Sequence, residues 1–195
     1  MLFIFLVFIA YVIGSIPFGY IIGKLFNIDV TKTGSGNIGA TNVARSLGFN
    51  FGLIVFVLDL LKGTFAILIA LQITQEPSTV ILVGLSAILG HMFSIFLKFK
   101  GGKGSAVGLG ILLGIAPDVF FFTFLFVVFV MLTTRYVSVS SILGVLCTVI
   151  LMILFQKPTP YVWVSILMLI LSIIKHRSNI QRLMQGTERK IGEKL

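Results

Sequence analysis

The sequence predicts an all-α integral membrane protein with seven transmembrane helices, its N-terminus outside, its C-terminus cytoplasmic, and a short fourth helix. Three observations lead there. The composition is 57% hydrophobic and 11% charged with 19 phenylalanines, and the mean hydropathy of +1.13 lies outside the range of soluble domains. Apolar runs recur at about 2–23, 51–73, 80–97, 105–116, 119–133, 137–155 and 161–174. With seven spans and an outside N-terminus, thirteen of the 15 Lys and Arg fall in cytoplasmic segments, against Lys157 outside and Lys62 within a span. That is the asymmetry the positive-inside rule requires. It accounts for the formal charge of +9 without nucleic acid, and the whole chain, 1–195, reads as one polytopic domain.

The first run has no basic segment before it and no small-residue cleavage site, so it is expected to be a retained span. A spanning helix needs about 20 residues, roughly 17 at least. The first, second, third and sixth runs meet that, the fifth and seventh are marginal, and the fourth is short. Either the fourth merges with the fifth into one bent span, or the glycine-rich link is drawn into the bilayer so that less helix must cross. Merging would put Arg135 and the basic tail opposite the central lysines, which charge disfavours. The expected outside links, at 74–79, Pro117-Asp118 and 156–160, are short and poor in positive charge. The inside links are longer and polar, so chemistry is expected there. Cys147 lies in an apolar run and reads as a small hydrophobe, with no disulfide or cysteine metal site. Gly104 with Gly108, and Gly110 with Gly114, predict close helix contact.

The central link, Lys98-Phe-Lys-Gly-Gly-Lys-Gly104, holds three lysines and three glycines in seven residues. Turning glycines with exposed N–H groups, together with point charges, suit a phosphate-like anion. It is not a Walker A loop, because Gly104 follows Lys103 where Ser or Thr belongs. The first inside link, Thr33-Gly-Ser-Gly-Asn-Ile-Gly-Ala-Thr-Asn42, leads to Arg45. Gly34, Gly36 and Gly39 match a dinucleotide spacing, but no strand precedes them. What remains is a set of neutral donors, Ser35, Asn37, Thr41 and Asn42, with Arg45 as an anion clamp. Residues 41–47 are predicted to form a short helix stopped at Gly48, its N-terminus facing the same anion.

Asp59 and Lys62 lie i,i+3 inside a span, where unpaired charge is costly, and are expected to pair as a brace for the loops. His91 is either a hydrogen-bonded structural residue or a participant. Hydroxyls at 138, 140 and 141 open a helix after Arg135 and either cap it or join an anion site. The tail from Lys175 is expected to continue helically, with His176 and Asn179 on one face. No H-E-x-x-H or paired-carboxylate pattern occurs. The cation-rich, acid-poor inside face suits reactants that carry phosphate.

GSGNIGATNVAR at 34–45, LDLLKG at 58–63, GHMFSIFLKFKGGKG at 90–104, RYVSVSSI at 135–142 and KHRSNIQRLMQGTE at 175–188 together resemble the bacterial acyl-phosphate:glycerol-3-phosphate acyltransferases, over nearly the whole chain. Ser94 departs from the family's usual proline, so the bend after His91 is expected to differ. The resemblance implies a multi-pass enzyme of the bacterial cytoplasmic (inner) membrane. It implies transfer of a fatty acyl group from acyl phosphate to the 1-hydroxyl of sn-glycerol 3-phosphate, giving lysophosphatidic acid and phosphate for phospholipid synthesis. No cofactor, metal or obligate protein partner is implied; membrane lipid is the surrounding partner. On this reading Ser35, Arg45, Lys103, Ser141, His176 and Asn179 are catalytic. Gly34, Gly36, Asn37, Thr41, Asn42, His91, Gly101, Gly102 and Gly104 bind substrate. The proton acceptor is His91, His176 or a substrate phosphate. The competing class is a transporter or channel for a phosphate-bearing anion, which is expected to show internal repeats and a midplane site; neither is evident in the sequence.

Overall fold

A computed structural model of the chain describes residues 1–193. Among them every regular element is helical, and the chain forms two compact units, Met1–Gly114 and Ile115–Glu193. Each is taken by itself.

The first unit begins with α1 (Leu2–Ser15) and α2 (Phe18–Leu25), one apolar run broken at Pro17, whose ring removes a backbone donor. Together they form one stretch, Leu2–Leu25, in agreement with the first span expected at 2–23. A loop leads to α3 (Ala40–Leu47), which ends at Gly48 with φ 103°, as the predicted stop requires. α4 (Phe49–Ile73) is the long central helix. α5 (Pro77–Met92) starts with proline in its first turn, and the Glu76 carboxylate caps it by accepting from the Ser78 and Thr79 N–H groups. Those bonds hold the Glu76 carboxyl down to about 2. A single 3-10 turn at Ile95–Leu97 and the 98–104 link lead to α6 (Ser105–Ile115).

α1 and α5 meet backbone to backbone. A Cβ on Gly14 would collide with the Ala87 carbonyl, and one on Gly90 with the Tyr11 carbonyl. Short hydroxyls then bond across the seam: Ser86 Oγ donates to Val7 O (2.7 Å), Ser15 Oγ to Gly90 O (3.3 Å) and Ser94 Oγ to Ser15 O (2.6 Å). Small residues and hydroxyls are the adhesive available where lipid removes the hydrophobic drive between helices. The backbone at Ser94, φ −62° and ψ 125°, is one that proline also adopts. Serine there changes the bonding to α1 and leaves the bend of a kind proline permits.

α6 lies on α4 through Gly110 and Gly114. A Cβ on Gly110 would strike the Leu60 carbonyl, and one on Gly114 would lie 2.6 Å from Ile67 Cγ2. Thr64 Oγ1 adds a bond to Gly110 O (2.8 Å). The Gly104/Gly108 pair behaves differently. Gly104 turns at φ 86° against Met92, and a Cβ on Gly108 would have its nearest neighbour at 4.0 Å. Only the second of the two small-residue pairs is a helix seam.

The second unit contains α7 (Pro117–Thr134), α8 (Val137–Leu154), α9 (Thr159–Lys175) and α10 (Arg177–Met184). Pro117 and Asp118, expected as a link, are the first turn of α7, because proline at the first helical position sacrifices no bond. Lys157 Nζ pairs with Asp118 Oδ2 at 2.7 Å, joining the start of α7 to the α8–α9 link. Arg135 turns the chain at φ 62°. The tail does not continue straight: α10 is bent 57° from α9 at His176.

Among the described residues five helical stretches are long and apolar enough to cross a membrane: Leu2–Leu25, Phe49–Ile73, Pro77–Leu97, Pro117–Thr134 and Val137–Leu154. Counted as one span, the bent α9–α10 pair makes a sixth. α6, with 11 residues, is shorter. It reaches about 16 Å at the helical rise, against about 30 Å of hydrocarbon.

The α4–α6 seam yields a direct test. Gly110→Leu should destabilise the protein by about 1–3 kcal/mol through overpacking against the Leu60 backbone. Gly108→Ala should be neutral or slightly stabilising. Thermal unfolding of the two purified variants in detergent separates these outcomes.

Candidate active site

In the first unit the 33–42 segment is built by its own side chains. The Asn42 side chain is buried and fully engaged: Oδ1 accepts from Ser35 N–H (2.8 Å), while Nδ2 donates to Val30 O (2.9 Å) and Thr33 O (3.1 Å). Asn37 Oδ1 accepts from Gly39 N–H (2.7 Å), and Thr33 and Ser46 share a hydroxyl contact at 3.1 Å. Gly34 and Gly36 turn at φ 57° and 68°, conformations that side chains disfavour. Ser35, between them, is exposed, and Thr41 and Arg45 are half-buried on α3. Thr41 and Arg45 are one turn apart on that helix, so a hydroxyl and a guanidinium share a face. Asn42 therefore shapes the loop, with Ser35 exposed and Thr41 and Arg45 half-buried beside it.

The 98–104 link is folded back on the end of α5. Gly102 N–H donates to His91 O (3.0 Å). A Cβ on Gly101 would collide with that same carbonyl, and one on Gly102 with His91 Nε2. These two glycines are thus demanded by close approach. The positive φ angles expected of them fall instead on Lys98 (52°), Phe99 (60°) and Gly104 (86°). Lys103 is half-buried, whereas Lys98 and Lys100 are exposed. Leu97, at the base of this link, packs with the cluster Val30, Ile38, Val43 and Val55 that also underlies the 33–42 segment. Both polar segments of this unit rest on one small core.

His91 is buried at 4% exposure, as are Asp59 at 2% and Lys62 at 5%. Lys62 Nζ lies 2.8 Å from Asp59 Oδ1, 3.0 Å from His91 Nδ1 and 2.8 Å from Ile16 O. The predicted Asp59–Lys62 pair exists, and it extends to His91 and to the α1–α2 break.

In the second unit Ser141 is half-buried on α8, one turn beyond the buried Ser138. His176 and Asn179 are buried at the α9–α10 bend. His176 Nδ1 is 2.9 Å from Ser172 O. A carbonyl only accepts, so Nδ1 carries the proton and the basic lone pair is on Nε2. Glu188, given no role from the sequence, organises this region. Its buried carboxylate accepts from Asn179 Nδ2, Arg182 Nε (2.7 Å) and Ser138 Oγ (3.0 Å). Burial pushes the carboxyl up, but the three donors outweigh it and hold it below its ordinary 4.5. The available signal was an acid, one of two with Glu193, in a basic tail. Among the described residues no group of three or more His, Cys, Asp or Glu could hold a metal ion.

The profile of a family described as glycerol-3-phosphate acyltransferase matches residues 4–186. A glycerol-3-phosphate acyltransferase 2 of Moorella thermoacetica is 44% identical over 187 residues, 95% of this chain and 96% of its own. A glycerol-3-phosphate acyltransferase of Aquifex aeolicus is 42% identical over 188 residues, 96% of this chain and 98% of its own. The crystal structure of PlsY, an integral membrane glycerol 3-phosphate acyltransferase, in its glycerol 3-phosphate form superposes with TM-score 0.94 at 40% identity, covering 98% of this chain and 96% of that one. Its lysophosphatidic acid form gives 0.92 over the same shares.

The Glu188 network predicts a pH effect. A carboxyl whose folded pKa is depressed stabilises the fold above its ordinary 4.5, and this stability is lost as pH falls through the lower folded value. Glu188→Gln should cost about 1–3 kcal/mol at neutral pH and remove that acid-side loss. Unfolding followed through Trp163, the single tryptophan and a residue of α9, reads both.

Proposed function

The chain belongs to the glycerol-3-phosphate acyltransferase family, and on that premise we propose that it transfers a fatty acyl group from acyl phosphate to the 1-hydroxyl of sn-glycerol 3-phosphate. The products are lysophosphatidic acid and inorganic phosphate. The observation that carries this is the 40–44% identity over nearly the full length to proteins of that name. The residue chemistry supports it: the segments that concentrate glycine, hydroxyl and cation suit phosphate esters.

Acyl phosphate is already activated. The glycerol hydroxyl oxygen attacks the acyl carbonyl carbon, the bond from that carbon to the phosphate oxygen breaks, and phosphate departs with the electron pair. A covalent enzyme intermediate is unnecessary, so the protein's work is positioning and charge stabilisation. We assign the donor phosphate to Ser35, Asn37, Arg45, the backbone at Gly101 and Gly102, and Ser141. Thr41, Gly34, Gly36 and Gly104 contribute to the same anion-directed surfaces. Lys103, His176 and Asn179 are assigned to glycerol 3-phosphate. His176 is the favoured proton acceptor, because its basic nitrogen is Nε2 and its Nδ1–H is held by Ser172 O.

We place the protein in a bacterial cytoplasmic membrane with seven crossings, N-terminus outside, and the polar segments facing the cytoplasm. The charge asymmetry supports this orientation. So does the Asp118–Lys157 pair, which joins two segments assigned to the outside.

Purified protein in detergent or lipid mesophase should release phosphate from acyl phosphate only when glycerol 3-phosphate is present. Flux of a phosphate-bearing anion across vesicles without chemical conversion would favour a transporter instead. Lys103→Ala should lower kcat/KM for glycerol 3-phosphate about 30- to 100-fold, the equivalent of about 2–3 kcal/mol from one charge-assisted phosphate contact. Full activity in a correctly inserted Lys103→Ala protein would reject that assignment.

A further inference from the structure

We propose that Lys62 is a positioning residue that locks His91 as a neutral imidazole protonated on Nε2, so that its N–H edge lies under the Gly101–Gly102 turn. This rests on reading that turn as part of the donor-phosphate site, and it adds a role for a buried pair remote in sequence.

The argument starts from Lys62. Its ammonium is buried on α4 and can only donate. Its neighbours are the Asp59 carboxylate at 2.8 Å, the Ile16 carbonyl at 2.8 Å and His91 Nδ1 at 3.0 Å. The Ile16 carbonyl and His91 Nδ1 are within hydrogen-bonding reach as acceptors, Asp59 balances the charge as an ion pair without a hydrogen bond to its Oδ1, and the Phe18 ring, 5.6 Å away, faces the same charge. His91 Nδ1 must therefore accept, which requires an unprotonated Nδ1 and places the ring proton on Nε2. Asp59 Oδ1 also faces Nδ1, at 3.7 Å, but the ammonium at 3.0 Å is the nearer group, and an Nδ1–H would point at it.

The other edge of the ring abuts the glycine turn. Nε2 occupies the space that a Cβ on Gly102 would need, and the His91 carbonyl receives the Gly102 N–H. His91 thus fixes where the turn sits from two atoms, its ring Nε2 and its backbone carbonyl, immediately before Lys103. In this state His91 has no basic nitrogen to offer, so it is not the proton acceptor. His176 is in the opposite tautomer, with Nδ1–H bonded to Ser172 O. The two histidines of the sequence are divided between a structural donor and a base.

The test uses the full-length protein in lipid bilayers, isotope-labelled at the histidine ring nitrogens. With two histidines in the chain, His91→Asn assigns the two sets of signals. His91 should show unprotonated Nδ1 and protonated Nε2. His176 should show the reverse tautomer. A protonated Nδ1 on His91 overturns the proposal.

The second arm is the Asp59→Asn/Lys62→Met double variant, which leaves no unpaired buried charge. It should let His91 sample both tautomers and raise KM for acyl phosphate about tenfold, with kcat within about threefold. His91→Gln, which restores an N–H near the Nε2 position, should retain more activity than His91→Asn. Wild-type KM in the folded double variant, or equal activity of the two His91 variants, counts against the proposal. If the double variant does not fold, the wild-type ring signals still decide. If the wild type transfers no acyl group at all, the assigned reaction fails while the tautomer result stands.

Discussion

The first unit depends on one desolvated cation. Lys62 sits in the middle of α4 with almost no contact to solvent, in a setting where an unpaired charge is disfavoured by several kcal/mol. It is tolerated because three elements bring acceptors to it: Asp59 from its own helix, the Ile16 carbonyl freed by the break before Pro17, and His91 from the last turn of α5. Removing any partner leaves the others uncompensated, so the cation fixes the mutual placement of α1, α4 and α5. That placement sets where the 98–104 link begins, and the Leu97 side chain then carries the link onto the core beneath the 33–42 segment.

The second unit uses the same logic with the opposite sign. Glu188 is an anion beyond the last helix, and donors from α8 (Ser138) and from α10 (Asn179 and Arg182) close around it. It anchors Asn179 and ties the tail back to Ser138, so the bent α9–α10 pair keeps His176 and Asn179 buried. In both units a charged residue with no direct place in the reaction holds the groups to which the chemistry is assigned.

Helix contacts follow from the solvent. Lipid is as apolar as leucine, so exposed Phe121, Leu125, Phe129 and Leu132 on α7 need no protein partner. Specific association comes instead from glycines that let carbonyls approach, at positions 14, 90 and 110, and from the serine and threonine hydroxyls that bond across those seams. The glycine turn under Lys103 uses this close approach as well: Gly101 and Gly102 make room for His91, and the left-handed backbone is taken up by Lys98 and Phe99.

The apolar runs, the short α3 with its stop at Gly48, the brevity of α6 and the Asp59–Lys62 pairing were legible in the sequence by itself, because each is set by residues within a few positions of one another. Hydropathy, proline and glycine placement, and i,i+3 spacing are local quantities. Tertiary structure alone decided that His91 completes the Lys62 site, that Ser94 bonds Ser15 across 79 positions, that Glu188 gathers Ser138 and Asn179, that Asn42 shapes its loop, and that the tail bends at His176. Those outcomes depend on which buried polar group finds which partner once helices pack, and chain separation carries no record of that choice.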